Sequence, residues 1–151
     1  GVGKNFFICD DGQTSLLARL VDVKFPDYKQ VLPTSFKNTI KIEKKQLTDA
    51  LQRASVVLQE KNKGVKIYIG ENKMEIRSTS DDGETTEEVP VDKLTEPLDV
   101  GFNVKYLIDA LSTYEEQEVC LSIGDEVSPA CIFSSEDDRY RQLSVVMPMR
   151  V

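Results

Sequence analysis

The sequence predicts an α+β fold, and three observations support that fold class. Apolar residues recur at three- and four-residue steps over 44–59 and again over 104–111, as they do on the buried face of a helix. Short runs of alternating apolar and polar residues lie before, between and after these segments and are typical of strands. The resulting order is strand, helix, four strands, helix, three strands, which indicates a strand–helix–strands unit present twice.

Each element follows from a local pattern. Leu47, Leu51 and Leu58 lie on one side of the first helix, together with two alanines. Asn103 suits the N-cap of the second helix, because its side chain can accept a free backbone N–H. The predicted elements are strand Thr39–Ile42, helix Lys44–Gln59, strands Val65–Ile69, Met74–Thr79, Thr85–Val91 and Leu98–Phe102, a helix from Asn103, and strands Glu118–Ile123, Ala130–Ser134 and Tyr140–Val146.

The N-terminal residues form a separate unit in this prediction. A turn at Asp10–Gly12 joins strands at Asn5–Cys9 and Ser15–Val21. An isolated two-stranded hairpin is only marginally stable in water. We therefore expect residues 1–33 to be the remnant and linker of a preceding domain, and residues 34–151 to be a domain of their own. The absence of an initial methionine agrees with this expectation.

The composition is that of an ordinary globular protein, with 40% hydrophobic and 30% charged residues among 151. No apolar run approaches the roughly 20 residues that span a bilayer. Cys9, Cys120 and Cys131 lack metal-type spacing, and the last two lie in apolar runs where a thiol acts as a small hydrophobe. We expect a cytoplasmic protein with reduced thiols.

The net charge of −7 is unevenly distributed. Residues 81–99 contain eight acidic residues and one lysine, so the charge of this segment equals the net charge of the whole chain. Residues 43–63 contain five basic and three acidic residues, so the first helix is the basic part of an acidic protein. The acidic run lacks the residue order of a calcium loop, so a solvated or interacting surface is expected there instead of a metal site.

Residue types that support catalysis are sparse. The chain has no histidine, so the usual proton-transfer group near neutral pH is missing. It also lacks a glycine-rich phosphate loop, a nucleophile elbow and a metal-spaced cluster. We therefore expect a binding protein that is not an enzyme and needs no cofactor or metal.

The last seven residues, Val145–Val151, combine an apolar run with Met-Pro-Met-Arg. Such a tail either finishes the last strand of a sheet or lines a groove that a partner fills, since methionine suits adaptable peptide grooves. Together with Phe-Pro-Asp-Tyr at 25–28 in a proline-containing linker, the tail resembles the bacterial DNA polymerase III beta subunit family, the sliding clamps. The resemblance extends over nearly the whole chain.

The resemblance implies a DNA-clamp fold, with two helices packed on antiparallel sheets and lining the inside of a ring. It also implies a processivity factor for DNA replication, a homodimer in the full-length protein, that encircles duplex DNA without reading its sequence. The replicative polymerase, the clamp loader and repair polymerases would bind it through short linear motifs. A peptide-motif-binding adaptor without a DNA role is the alternative, and an enzyme with unusual carboxylate chemistry is a more remote one.

The family's hydrophobic peptide-binding pocket, carried onto this sequence, includes the tail, the linker and the rim of the second helix. Gln30, Pro129 and Val151 depart from the family pattern, which leaves the motif preference open. The implied pocket residues are Pro26, Val31, Asn103, Tyr106, Val127, Ser128, Val145, Met147, Pro148, Met149, Arg150 and Val151.

Two further surfaces are implied. One faces DNA through cations on the helices. Simple solubilisation of a helix explains these residues equally well. On the second helix, the charge of Asp109 also offsets that of Lys105. The other is a dimer interface, in which a pair of valines, the first of them opposite the buried helix face, and a neighbouring acidic strand together meet a first domain of another subunit. The DNA-facing residues are Lys44, Lys45, Arg53 and Lys105, and the dimer-interface residues are Val56, Val57, Asp82, Glu84, Glu87 and Glu88.

Overall fold

A computed structural model describes residues 1–25, 27–33, 38–59, 63–91, 97–134 and 142–151 of the protein. Its elements are β1 Phe6–Asp10, β2 Ser15–Arg19, a 3₁₀-helix at Tyr28–Gln30, β3 Thr39–Glu43, α1 Lys44–Ser55, β4 Gly64–Ile69, β5 Lys73–Ser80, β6 Gly83–Pro90, β7 Leu98–Asn103, α2 Val104–Leu111, β8 Glu118–Ile123, β9 Ala130–Ser134 and β10 Leu143–Val146. The predicted α+β class and the order of elements after the hairpin are confirmed.

The first helix is shorter than predicted. α1 ends at Ser55, and the N–H of Val56 donates to the Arg53 carbonyl at 3.1 Å, which is the tight bond of a final helical turn. The prediction ran on to Gln59 because Leu58 continues the apolar spacing. Leu58 does pack against the core, but it does so from the turn that follows the helix.

The strands form two antiparallel sheets of four strands, in the orders β10–β9–β8–β3 and β6–β5–β4–β7. The predicted duplicated unit is visible in this topology, as β3–α1–β4–β5–β6 followed by β7–α2–β8–β9–β10. Each sheet contains three strands of one unit and the first strand of the other. This exchange of first strands interlocks the two units, and their helices pack against each other.

A single hydrophobic core joins both helices to the inner faces of both sheets. Every second residue of a strand points inward and contributes to this core, as Val65, Ile67 and Ile69 do on β4. The helices contribute Leu47, Ala50, Leu51, Ala54, Val104, Leu107 and Leu111. None of the helices in the described ranges has the length and apolar character needed to cross a membrane.

The N-terminal hairpin pairs only with itself among the described strands. Its turn is the predicted one: the Asp11 carboxylate accepts the N–H groups of Gln13 and Thr14 at 2.9 and 2.7 Å, and Gly12 has a φ of +89°. These bonds lower the pKa of Asp11. Every side chain of β1 and β2 is exposed. The assignment of residues 1–33 to a preceding domain stays a prediction.

Candidate partner-binding site

The C-terminal tail, Met147–Val151, connects the edges of the two sheets. β10 is an edge strand and ends at Val146, which is 5% exposed. Beyond it, the N–H of Met149 donates to the carbonyl of Gly101 at 2.8 Å. Gly101 lies on β7, which is an edge strand of the other sheet. The last strand therefore ends before both tail methionines, and the tail crosses to a second sheet.

Gly101 leaves the space into which the tail fits. A Cβ atom at this position would lie 2.4 Å from the Met149 carbonyl oxygen and 2.5 Å from Cγ2 of Val151. Both distances are far below van der Waals contact. Gly101 is not among the residues predicted for the site from the sequence, although a glycine inside a strand is a signal of close backbone approach.

The tail exposes its large apolar side chains. Met147, Met149 and Val151 are 55%, 40% and 56% exposed. Tyr106, in the first turn of α2, is 59% exposed, which confirms the expected exposure of this residue. Apolar side chains grouped at a surface are typical of a partner-binding site.

Side-chain bonds to the backbone hold two other segments that contain predicted pocket residues. Asn103 lies two residues after Gly101, and its Oδ1 accepts the N–H of Lys105 at 3.0 Å, so it is the predicted N-cap of α2. In the β8–β9 turn, the Asp125 carboxylate accepts the N–H groups of Val127 and Ser128 at 3.0 and 2.6 Å. Both turns therefore have a defined backbone conformation.

The linker is also a defined turn. Asp27 accepts the N–H of Lys29 at 3.2 Å, and the N–H of Val31 donates to the Tyr28 carbonyl at 3.1 Å. Val31 is exposed at the end of this turn. Pro26, the other pocket residue predicted in the linker, lies outside the described residues.

Val145 lies on the face of its sheet that points away from the core. Its register partner on β9 is Cys131, whereas the neighbours Ala130 and Ile132 point into the core. Cys131 is nevertheless fully buried, so this outer face is covered as well, and burial raises the pKa of its thiol. Val145 is half-buried on the same face.

Two of the predicted DNA-facing cations form exposed pairs within their own helices. Nζ of Lys45 lies 2.6 Å from Oδ2 of Asp49, and Nζ of Lys105 lies 2.8 Å from Oδ2 of Asp109. These hydrogen bonds raise the pKa of both lysines. Surface pairs of this kind contribute little to stability, so each lysine can exchange its carboxylate for another anion.

The other two predicted cations hold elements of the fold together. Nζ of Lys44 donates to the carbonyl of Tyr114 at 2.6 Å. Nε of Arg53 donates to Oε2 of Glu87 at 2.8 Å. Arg53 and Glu87 were predicted for two different surfaces, DNA-facing and dimer interface, and the fold brings them together between α1 and β6.

The remaining residues of the predicted dimer interface lie at the end of α1 and on or just before β6, which is an edge strand. Val56 is 80% exposed at the end of α1, which agrees with its predicted direction away from the core, and Val57 is half-buried. Glu84 and Glu88 lie on the outer face of β6, opposite the face that meets α1, and Asp82 precedes the strand. A free strand edge is a ready template for pairing with another chain.

Within the described residues, no group of three or more acidic or cysteine side chains has the geometry to hold a metal ion. Of the acidic run at 81–99, residues 92–96 lie outside the described ranges.

Comparisons with known proteins identify the family. The family described as DNA polymerase III beta subunit, C-terminal domain, matches residues 29–150. The beta sliding clamp of Vibrio cholerae is 35% identical over 135 residues, which are 89% of this chain and 36% of that protein. The crystal structure of the DNA polymerase III subunit beta of Pseudomonas aeruginosa has a TM-score of 0.88 at 30% identity, covering 99% of this chain and 41% of that one.

A sliding clamp from Bartonella birtlesii bound to griselimycin has a TM-score of 0.87 at 26% identity and covers 99% of this chain and 40% of that chain. This chain therefore spans about two fifths of the length of the relatives that it matches. With a family match over most of its length and the same fold, the chain belongs to the family formed by the C-terminal domain of the DNA polymerase III beta subunit.

Proposed function

We propose that this chain is part of a ring-forming sliding clamp that acts as a processivity factor in DNA replication. The ring encircles duplex DNA and tethers the enzymes that work on it, and it catalyses no reaction itself. Its protein partners are the replicative polymerase, the clamp loader and repair polymerases, and its setting is the cytoplasm. Family membership and the duplicated topology support this assignment.

The observation that carries the partner-binding role is the exposed tail seated on β7. Met147, Met149 and Val151 offer flexible or branched apolar surface, and the ring of Tyr106 on α2 is exposed as well. A short extended motif that buries these side chains would gain affinity from the hydrophobic effect. Weak intrinsic binding is sufficient, because a tethered enzyme stays at an effective concentration on the order of millimolar.

Ligands of known clamps provide a probe for this site. Sliding clamps from Bartonella birtlesii and Pseudomonas aeruginosa are known in complex with griselimycin. We propose that griselimycin binds this chain at the tail surface.

The DNA-binding role rests on weak, exchangeable contacts. Lys45 and Lys105 are exposed and already paired, so they can contact phosphates only by giving up a neighbouring carboxylate. Phosphate contacts do not depend on sequence and weaken with salt. Such contacts suit a protein that moves along DNA while the closed ring keeps it from dissociating.

The same pairs favour a second candidate, a peptide-binding adaptor without a DNA role. All four predicted DNA-facing cations have an acceptor within the chain. The net charge of −7 also opposes simple electrostatic binding to DNA. The tail surface is common to both candidates, so they differ only in how the protein meets DNA.

Substitution of the tail methionines tests the partner-binding role. In this chain, Met147→Ala with Met149→Ala should weaken griselimycin binding by about tenfold or more, since each loses buried apolar contact worth on the order of 1 kcal/mol. Isothermal titration calorimetry measures the affinity. Val21→Ala shortens an apolar side chain that is even more exposed, at 81%, and lies far away in the sequence, so it should leave the affinity unchanged. Equal affinities for the double variant and the unaltered chain would show that the tail is not the binding site.

Retention on circular and on linear DNA distinguishes the clamp from the adaptor. The ring-forming protein should remain on a nicked circular plasmid after loading and should leave the same plasmid once it is linearised. An adaptor without a DNA role should bind neither form. Retention on both forms that disappears as salt rises would indicate ordinary electrostatic binding and would contradict the encircling ring.

A further inference from the structure

Among the described residues, one backbone hydrogen bond fixes the three residues after Pro148, from the Met149 N–H to the Gly101 carbonyl at 2.8 Å. Chain termini are usually poorly ordered unless they are tied down. Pro148 restricts its own φ and disfavours helical conformations for Met147, which directs the chain outward but does not attach it. The attachment depends on how closely the tail can approach β7.

That approach is possible because residue 101 has no side chain. The Cβ of any other residue would lie 2.4 Å from the carbonyl oxygen of Met149, which is a backbone atom and cannot rotate away. It would also lie 2.5 Å from Cγ2 of Val151. Gly101 itself is not among the described glycines with positive φ, so an alanine there would not strain β7. The three atoms nearest to such a Cβ all belong to the tail, so the steric conflict is with the tail.

We propose that Gly101 is a positioning residue of the partner-binding site. Gly101 acts through the tail and does not itself contact the ligand. By leaving room for the Met149 carbonyl and the Val151 side chain, it lets the tail attach to β7, and the attached tail presents its side chains in one arrangement. A ligand then binds without having to order the tail, which lowers the entropic cost of binding.

This inference rests on the proposed partner-binding role of the tail, but it has a structural readout of its own. In the unaltered chain the Met149 amide should be protected from hydrogen exchange by its bond to Gly101. In Gly101→Ala the tail must move away, so this protection should fall by about tenfold or more while the core amides remain protected. Gly101→Ala should also weaken griselimycin binding by about tenfold or more, as loss of preorganisation predicts.

Gly70→Ala is the matched control. It makes the same chemical change in the turn between β4 and β5 of the same sheet, and the nearest atom to its new methyl group is Cε1 of the Tyr68 side chain at 3.2 Å, which can shift. Both substitutions reduce the conformational entropy of the unfolded chain equally. Gly70→Ala should leave both Met149 exchange and griselimycin affinity unchanged.

A deletion of residues 149–151 shows whether Gly101 acts through the tail. Gly101→Ala should have no further effect on affinity in the truncated chain, because the group it displaces is already gone. Unchanged Met149 protection in Gly101→Ala would overturn the proposal, and so would lost protection with unchanged affinity. If the methionine double variant binds griselimycin normally, the binding site itself is wrong, and Met149 exchange still reports on the attachment of the tail.

Discussion

The hydroxyl oxygen of Tyr114 accepts a hydrogen bond from the backbone N–H of Ser144 at 3.0 Å. The same hydroxyl donates to the carbonyl of Ile132 at 2.6 Å. Ser144 and Ile132 are register partners on β10 and β9, so the phenol forms a bridge between the two strands. Because β10 leads directly into the tail, a residue just after α2 helps to fix the strand that positions the partner-binding surface.

Removal of this bridge should destabilise the fold. Tyr114→Phe keeps the ring but leaves the N–H of Ser144 and the Ile132 carbonyl without this partner. We expect the free energy of unfolding to fall by about 1–3 kcal/mol, the usual cost of leaving buried polar groups unpaired. Urea denaturation measures the change. Tyr28→Phe removes an exposed hydroxyl and should alter stability by less than about 0.5 kcal/mol. A loss no larger than that of this control would mean that the two strands pair directly once the hydroxyl is gone.

The same hydroxyl should make stability depend on alkaline pH. Burial raises the pKa of Tyr114 above its ordinary value of 10.0, and this effect exceeds the opposing effect of its bonds to Ser144. The folded state therefore holds the proton more tightly than the unfolded chain. The contribution is fully present below pH 10 and is lost as the pH rises through the folded-state pKa.

Comparison with a variant isolates this dependence from other groups that titrate in the same range. As the pH rises above 10, the stability of the unaltered chain should fall more steeply than that of Tyr114→Phe, so the two curves converge. Parallel curves would show that Tyr114 does not titrate with a raised pKa.

Ser78 should be needed to hold the end of α1 against β5. Its buried hydroxyl donates to the carbonyl of Ala54 at 2.6 Å and lies 2.7 Å from Oγ1 of Thr85 on β6. Ser78→Ala should lower the free energy of unfolding by about 1–3 kcal/mol, because the Ala54 carbonyl loses its donor in a buried site. Ser112→Ala removes a comparable bond, 2.7 Å to the Asp109 carbonyl, at an exposed position and is the control. Similar losses in both variants would contradict a special role for the buried bond.

The proposed dimer interface predicts an effect on assembly without an effect on folding. Val56 is 80% exposed, so Val56→Asp should change the stability of this chain by less than about 0.5 kcal/mol. In the ring-forming protein it should weaken the dimer, because a charge would enter an apolar contact beside an acidic strand. Sedimentation velocity measures the dimer, and Gln52→Asp on the exposed side of α1 is the control. An undisturbed Val56→Asp dimer would place the interface elsewhere.

Local pattern was sufficient for most of the fold. Strands Glu118–Ile123 and Ala130–Ser134 have the bounds that alternation predicted, and Asn103 caps α2 as its side-chain chemistry suggests. The helix end at Ser55 was missed because Leu58 keeps the apolar spacing after the helix has stopped. The spacing of apolar residues indicates which side chains face the core, and a residue in a turn can face the core as well as one in a helix.

The candidate site was predictable in its residue types but not in its contacts. For the tail, the residues alone left open a final strand or a groove, and the family resemblance assigned the tail methionines and Tyr106 to the site. The pairing of Arg53 with Glu87 joins residues 34 positions apart and depends on how α1 lies on β6. The role of Gly101 depends on a tail that returns to β7 from the far end of the chain.

Periodicity, capping and turn chemistry act over a few neighbouring residues, so local patterns predict the α+β class, the order of the elements and the apolar tail. Three features emerge only in the folded chain: the two units exchange their first strands, Tyr114 bridges β9 and β10, and the tail attaches where β7 has no side chain. These relationships come from packing between distant segments, where the space left by one residue determines the position of another.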